Sequence, residues 1–455
     1  MRRFLQRLGL PGGSPGETGD GSTPDIAENL ANRRRETWVA ARRNHGTADL
    51  SSPAAKRRAF ALEDLISAGK EVPAETLGEL LNDSDEGVRI LARLASEGPT
   101  LRWPEDASPH AAAAVLRVIA TREAGLQGKG GWARLLRGIY RSVKDPALQL
   151  HILEILLNVV HNVDDLDAPV VAGTALEGLD HSDRKIRCLS CDILGQICAP
   201  VFLARVAKTL EDLDPEVRRR AGAALVRYGD DALQELRRRL TSSRDEVVEG
   251  IVQTTGSIGT PAAHHLLLEN LETDFRQLGW LVDGGRNLVS DDLWHLVVED
   301  YERRAFRHIL RVLEALGHGD VVALIRRDSR QGVCERDTID ALTSLHAGCF
   351  LRPIVNLLED QQPTRPLDAG RRRLDEALGL RDRWLVAGAL VCRHQSPPAD
   401  LAMHADSLVR RTVTELENRQ LSDHFLYRLL LLKKTPAYTS LSLDDLVVLD
   451  DSLTL

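Results

Sequence analysis

Aromatic side chains are scarce in this 455-residue chain: six Trp, five Tyr and seven Phe, 4% of its residues. The apolar positions are filled mostly by Leu, Ala and Val, which suit close contact between helices better than sheet packing. No apolar run approaches the ~18 residues that a bilayer-spanning helix needs, so no transmembrane segment is expected. A strand-like alternation of polar and apolar residues is missing at any useful length. The six cysteines are scattered. The opening Met1-Arg2-Arg3-Phe4-Leu5-Gln6-Arg7-Leu8 is basic but too poor in apolar residues for a secretory signal. Reduced thiols in a cytoplasmic protein are the resulting expectation. With a net charge of −8, the whole chain does not have the overall charge of a nucleic-acid binder.

The charge is unevenly spread. Residues 1–60 hold eleven Lys or Arg against six acids, so the remainder carries −13, from −8 minus +5. Residues 1–22 read as a disordered basic leader and linker, because Pro11-Gly-Gly-Ser-Pro-Gly-Glu-Thr-Gly-Asp-Gly-Ser22 can build no core. Thr23-Pro24-Asp25 then has the chemistry of a helix start, and an N-terminal helix is expected within 23–50.

Beyond it a signature recurs: Asp, two residues, an aliphatic residue, then Arg or a polar equivalent. It reads Asp85-Glu-Gly-Val-Arg89, Asp145-Pro-Ala-Leu-Gln149, Asp183-Arg-Lys-Ile-Arg187, Asp214-Pro-Glu-Val-Arg218 and Asp245-Glu-Val-Val-Glu249. The Asp residues are 60, 38, 31 and 31 positions apart, by subtraction. A period near thirty with a helix-start signal in each unit predicts stacked helix pairs, none able to hide its apolar face alone. In the clearest unit a first helix runs from Pro200 to Leu210, and Asp214-Pro215 opens a second that Gly229 stops. The long first gap leaves room for an irregular unit around Trp103–Gly131. Later stretches, 291–317, 336–359, 371–394 and 405–434, keep helical periodicity, with the clearest break at Gln361–Pro366.

The Asp-Pro-Glu-Val-Arg string and its relatives resemble HEAT and HEAT-like repeats. The resemblance implies an all-α fold: a HEAT-like α-solenoid (armadillo-type superhelix) of antiparallel helix pairs, with repeats over 51–265 and a continuing helical repeat region over 266–430. Arg336-Asp-Thr-Ile-Asp-Ala-Leu342, Leu351-Arg-Pro-Ile-Val-Asn-Leu-Leu-Glu359 and Asp382-Arg-Trp-Leu-Val-Ala387 look like bacterial HEAT proteins that carry a C-terminal cyclic-nucleotide-binding domain. Residues 431–455 resemble the leading helical segment of such a domain. The barrel residues that grip the cyclic phosphate have no counterpart here, so this chain alone is not expected to bind cyclic nucleotide.

Chemistry-bearing clusters are few. Cys188, Cys191 and Cys198 fall on one repeat helix without a second ligand pair, and read as small core residues rather than a metal site. His264-His265 invites comparison with a HEAT-like hydroxylase family that holds two irons through His-Glu pairs, but no His-Glu dipeptide occurs. Gly125-Leu-Gln-Gly-Lys-Gly-Gly131 departs from a phosphate loop and reads as a loop between repeats. No catalytic residue, cofactor or metal is expected.

Residues 205–244 hold ten Lys or Arg against seven acids. Arg89, Arg187 and Arg218 are expected to pair with Asp residues of neighbouring units. Arg184, Arg219, Arg220 and Arg227 are the candidate partner-binding residues. The expected function is a non-enzymatic protein-binding scaffold or adaptor, in one form a regulatory arm of a signalling system. The alternatives are a nucleic-acid-binding protein with a basic groove, for which only Tyr228 offers stacking nearby, and a HEAT-like chromophore lyase.

Overall fold

A computed structural model describes residues 47–121, 131–160, 167–240, 245–286, 288–289, 291–331, 333–345, 348–358, 370–418, 424–439 and 441–453. The leader over 1–22, nearly all of the 23–50 helix, the Gly125 loop up to residue 130 and the 361–366 break lie outside them. All secondary structure among the described residues is helical, and the fold is an all-α solenoid. They fall into two compact units, 47–254 and 255–453.

The first unit begins with a single 3-10 turn at Thr47–Ser51. Its helices are α1 (Ala55–Ser67), α2 (Ala74–Leu80), α3 (Glu86–Glu97), α4 (Pro109–Thr121), α5 (Trp132–Ser142), α6 (Pro146–Val159), α7 (Ala168–Gly178), α8 (Arg184–Ile197), α9 (Leu203–Lys208), α10 (Pro215–Tyr228), α11 (Leu233–Arg239) and α12 (Asp245–Ile258). The second unit holds α13 (Pro261–Trp280), α14 (Asp292–Ala315), α15 (Gly319–Gln331), α16 (Arg336–Ser344), α17 (Leu351–Leu358), α18 (Gly370–Ala377), α19 (Arg383–Cys392), α20 (Ser407–Asn418), α21 (Phe425–Lys434) and α22 (Leu443–Leu453).

Four of the five signature Asp residues do what their chemistry suggests. Asp85, Asp145, Asp183 and Asp214 are N-caps, and their carboxylates accept from first-turn amides that have no partner inside the helix. Such a cap stabilises a helix by about 1 kcal/mol. Pro146 and Pro215 occupy the first helical position, where no amide is needed. Gly229 and Gly259 end α10 and α12 with φ of +58° and +68°, a backbone state glycine enters freely.

Several boundaries differ from expectation. The Trp103–Gly131 stretch contains a regular helix, α4, whose apolar face reads Ala111, Ala112, Val115 and Ile119. The 371–394 stretch is two helices, because Asp382 caps a new one by accepting from Trp384 N and Leu385 N, both at 3.0 Å. The 405–434 stretch also divides, with the His424 ring as the cap of α21.

The two cores have different chemistry. In the first unit the fully buried side chains are aliphatic, Leu91, Leu116, Ile152, Ile193 and Leu225 among them, while Trp103, Trp132, Tyr140 and Tyr228 are buried but keep a small exposed edge. In the second, the aromatics Trp294, Trp384, Phe306, Phe350 and Phe425 are fully buried. Close approach distinguishes α8 and α10: a Cβ placed on Gly195 would lie 2.7 Å from Ala224 Cβ and 2.8 Å from its Cα. Gly195→Ala is therefore expected to destabilise the fold by about 1–3 kcal/mol through overpacking. Gly250→Ala in α12 meets nothing within 4 Å and should gain up to about 1 kcal/mol of helix propensity. Urea unfolding of both variants checks the contrast.

Candidate protein-binding surface

Helices α8 and α10 share the most intimate packing of the first unit, so the side chains along their outer faces form one surface. The turns before them are built alike. Two residues ahead of each capping Asp stands a second acceptor: the Asp214 amide donates to Asp212 Oδ1 at 2.8 Å, and the Asp183 amide to His181 Nδ1 at 2.9 Å. The same device precedes α3, where the Asp85 amide donates to Asp83 Oδ1 at 2.8 Å.

The Arg four residues after the cap closes the turn. Arg187 Nη1 donates to the carbonyls of His181 and Ser182, both at 2.9 Å, and Arg218 Nη1 to those of Asp212 and Leu213, at 2.9 and 3.0 Å. Arg89 grips Asp83 and Ser84 in the same way, and Arg410 repeats the grip on Ala405 in the second unit. The expected ladder between units is realised by Arg187, which forks onto Asp212 at 2.8 and 3.0 Å. Arg58 forks onto Asp83 likewise, at 2.7 and 2.8 Å. Both pairs span 25 positions. Among the described residues Arg89 and Arg218 make no such carboxylate pair. The positions 25 further on hold Ala114 and Ser243, so the acceptor is missing.

The four candidate arginines gather around three carboxylates. Arg184 lies 3.5 Å from Asp214. Arg219 forks onto Glu216, with its Nε 2.8 Å from one oxygen. Arg220 bridges Glu216 and Asp192, at 3.1 and 2.9 Å. The Arg219 hydrogen bond, helped by Arg220 against the opposing effect of burial, holds the Glu216 carboxyl down at about 2. Burial pushes Asp192 up despite Arg220, so Arg220 is committed to neutralising a sheltered acid. Arg219 is 63% exposed. Arg227 is exposed too, and among the described residues its guanidinium has no ion-pair partner. The surface is a salt-bridged mosaic with one more cation than anion, four against three, rather than a basic groove.

One surface residue escaped the sequence reading. Leu213 is 86% exposed, yet its turn is fixed on both sides by the Asp212 and Asp214 acceptors and by the Arg218 grip. Equivalent positions hold Ser84, Ser182 and Ala405; Leu213 breaks that small or polar pattern, which was the available signal. The cysteines of α8 turn inward instead. Burial raises the Cys188 thiol to about 11 and pushes Cys191 higher. Cys198 closes the helix with φ +52°, and its thiol donates to the Arg227 carbonyl at 3.2 Å.

Residues 172–254 and 203–278 match the family model for HEAT repeats. This stretch carries HEAT repeats. α8 and α10 both lie inside it, so the candidate surface belongs to the HEAT repeats themselves. An engineered protein of known structure aligns with 82% of this chain and 97% of its own, at 15% identity and a TM-score of 0.27. None of the curated proteins matches the chain. Among the described residues no helix is long and apolar enough to cross a membrane, and no group of three or more His, Cys, Asp or Glu is placed to hold a metal.

Proposed function

We propose that the chain is a non-enzymatic adaptor that binds another protein across the α8–α10 surface. Arg184, Arg219, Arg220 and Arg227 supply the polar contacts, and Leu213 the apolar one. The observation that carries this reading is Leu213: a large apolar side chain held in water on a turn that seven hydrogen bonds have already ordered. A turn whose backbone is already ordered loses little entropy on docking, and an apolar anchor ringed by charges is the usual make-up of an interface centre. Repeat surfaces are chiefly partner-binding devices. The salt-bridged mosaic supports a protein partner over nucleic acid, because three of the four arginines already face carboxylates and Tyr228 is buried. A regulatory arm working with a separate nucleotide-binding protein is a narrower form of the same reading. Its support is the likeness of residues 431–446 to the leading segment of such a domain; cyclic nucleotide itself is not proposed as a ligand of this chain.

The test is affinity capture with the wild-type chain and with a Leu213→Asp/Arg219→Glu/Arg227→Glu variant, quantified protein by protein. Arg220 is left intact because it neutralises Asp192. Proteins held by this surface should fall at least about tenfold in recovery while the far-ultraviolet circular dichroism stays unchanged. An identical set of proteins at identical yield would remove the surface from consideration.

A further inference from the structure

The first unit also contains a cavity of about 870 Å³, away from α8 and α10. One wall is the segment Pro99–Trp103, which begins inside the short 3-10 turn at Gly98–Thr100. The other is the face of α5 that carries Arg134, Gly138 and Arg141. Gly138 is required for this meeting, since a Cβ there would lie 3.0 Å from Trp103 Cβ. Trp103 is pinned by its indole N–H, which donates to Ser142 Oγ at 2.7 Å. Both walls are therefore fixed before any ligand arrives.

Most polar groups of the cavity are already committed. Asp167 accepts from the Gly131 amide at 2.7 Å. Arg141 is paired with Glu177, which also takes Arg137 at 2.7 Å. Two guanidiniums remain: Arg102 from the first wall and Arg134 from α5. Both are exposed, and among the described residues neither has an ion-pair or hydrogen-bond partner. This is uncommon in a chain whose arginines are otherwise largely paired with carboxylates or carbonyls. Glu105 is the one acid of the lining without such a commitment.

We propose that this cavity binds a small polyanion, a molecule carrying at least two phosphate or carboxylate groups, with Arg102 and Arg134 as its two receptors. A guanidinium offers a planar fork that matches either oxyanion in bidentate fashion. The volume falls within the range of small-ligand sites, roughly 300–1,000 Å³. Two cations lining one cavity select a ligand with two anionic groups over a simple monoanion. Glu105 limits affinity by repulsion and sets the polarity of the remaining rim. This site is independent of the α8–α10 surface and does not rest on the adaptor reading.

The experiment is isothermal titration calorimetry of the full chain with inorganic pyrophosphate and, separately, with citrate, against chloride at equal ionic strength. Binding of pyrophosphate alone assigns a phosphate ligand, and binding of citrate alone a carboxylate one. In either case Arg102→Ala and Arg134→Ala should each weaken binding about tenfold or more, and the double variant should abolish it. Both side chains are exposed and, among the described residues, unpaired, so these variants keep the wild-type circular dichroism. Glu105→Gln should tighten binding a few-fold by removing the repulsion. No heat from either ligand up to about 10 mM, or equal affinity in the double variant, overturns the proposal.

Discussion

Replacing Arg304 with methionine should destabilise the second unit by about 3–5 kcal/mol, the usual result of removing one partner from a buried ion cluster. Arg304 sits on α14 and touches two acids. Its Nε donates to Asp300 at 2.9 Å and its Nη1 to Asp382 at 2.8 Å. Burial disfavours the guanidinium charge, but Asp382 and Asp300 more than offset this, so its pKa rises. Asp300 is only 2% exposed and also accepts from the Leu443 amide at 3.3 Å. Asp382 is the cap of α19, and its own amide donates to Gln277 of α13 at 3.0 Å. One cation thereby organises contacts among α13, α14, α19 and α22. Taking it away leaves two sheltered carboxylates facing one another. A joint Asp300→Leu/Arg304→Met/Asp382→Ser variant, which removes the stranded charges and keeps a capping hydroxyl, should recover part of the loss. Urea unfolding curves measure both. An Arg304→Met midpoint equal to wild type would contradict this account of the cluster.

Asp274→Asn should act in the opposite direction, making the protein more stable at pH 8 by up to roughly 4 kcal/mol. Burial pushes the Asp274 carboxyl up to about 7. The Tyr301 hydroxyl, which donates to it at 3.3 Å, offsets only part of that, and Asp382 adds repulsion. A carboxyl that holds its proton longer when folded contributes its full stability below pH ~4, and that contribution is lost as pH rises through 7. Nearby His308 has the reverse sign. Burial, reinforced by Arg311, lowers it to about 4, while Asn270 meets its Nε2 at 2.6 Å. Its contribution is full above pH ~6.5 and is lost as pH falls toward 4. Between pH 4 and 6.5 the two slopes oppose each other, and above 6.5 only the Asp274 slope remains. The Asn variant keeps an acceptor for Tyr301 and removes the falling slope. Its melting temperature should then rise with pH from 4 to 6.5 and stay level beyond. A variant whose pH profile runs parallel to wild type would show that Asp274 does not titrate in this window.

The parts of this molecule that sequence reading captured are those governed by neighbours in the chain. An Asp before Pro215 or Gly87 caps a helix through atoms two or three residues away, so Asp85, Asp145, Asp183 and Asp214 were readable one by one. The Arg187–Asp212 tie was also within reach, because it repeats as Arg58–Asp83 at the same separation. Long-range chemistry left no such trace. Arg304 and Asp382 are 78 positions apart, and nothing local marks either as buried. Nothing in the local sequence marks Arg102 and Arg134, 32 positions apart, as lining one cavity. Helix divisions at Asp382 and His424 were missed because the flanking residues keep helical periodicity across the break. Of the four candidate contact arginines, the structure gathers all of them on α8 and α10 but commits Arg220 to an internal acid, a distinction that composition could not supply.

The repeated fork at Arg58–Asp83 and Arg187–Asp212 has a consequence for how the gene can change. Each tie holds only while its two ends stay in helical and turn register, so a codon inserted or deleted between 188 and 211 would carry Asp212 off its guanidinium and unseat the turn that Asp212 also orders. Length variation among descendants of this chain should therefore spare the two tied intervals. It should collect where, among the described residues, no such link bridges the ends, as between Arg89 and Asp145, where the spacing of the signature is about twice that of the later copies.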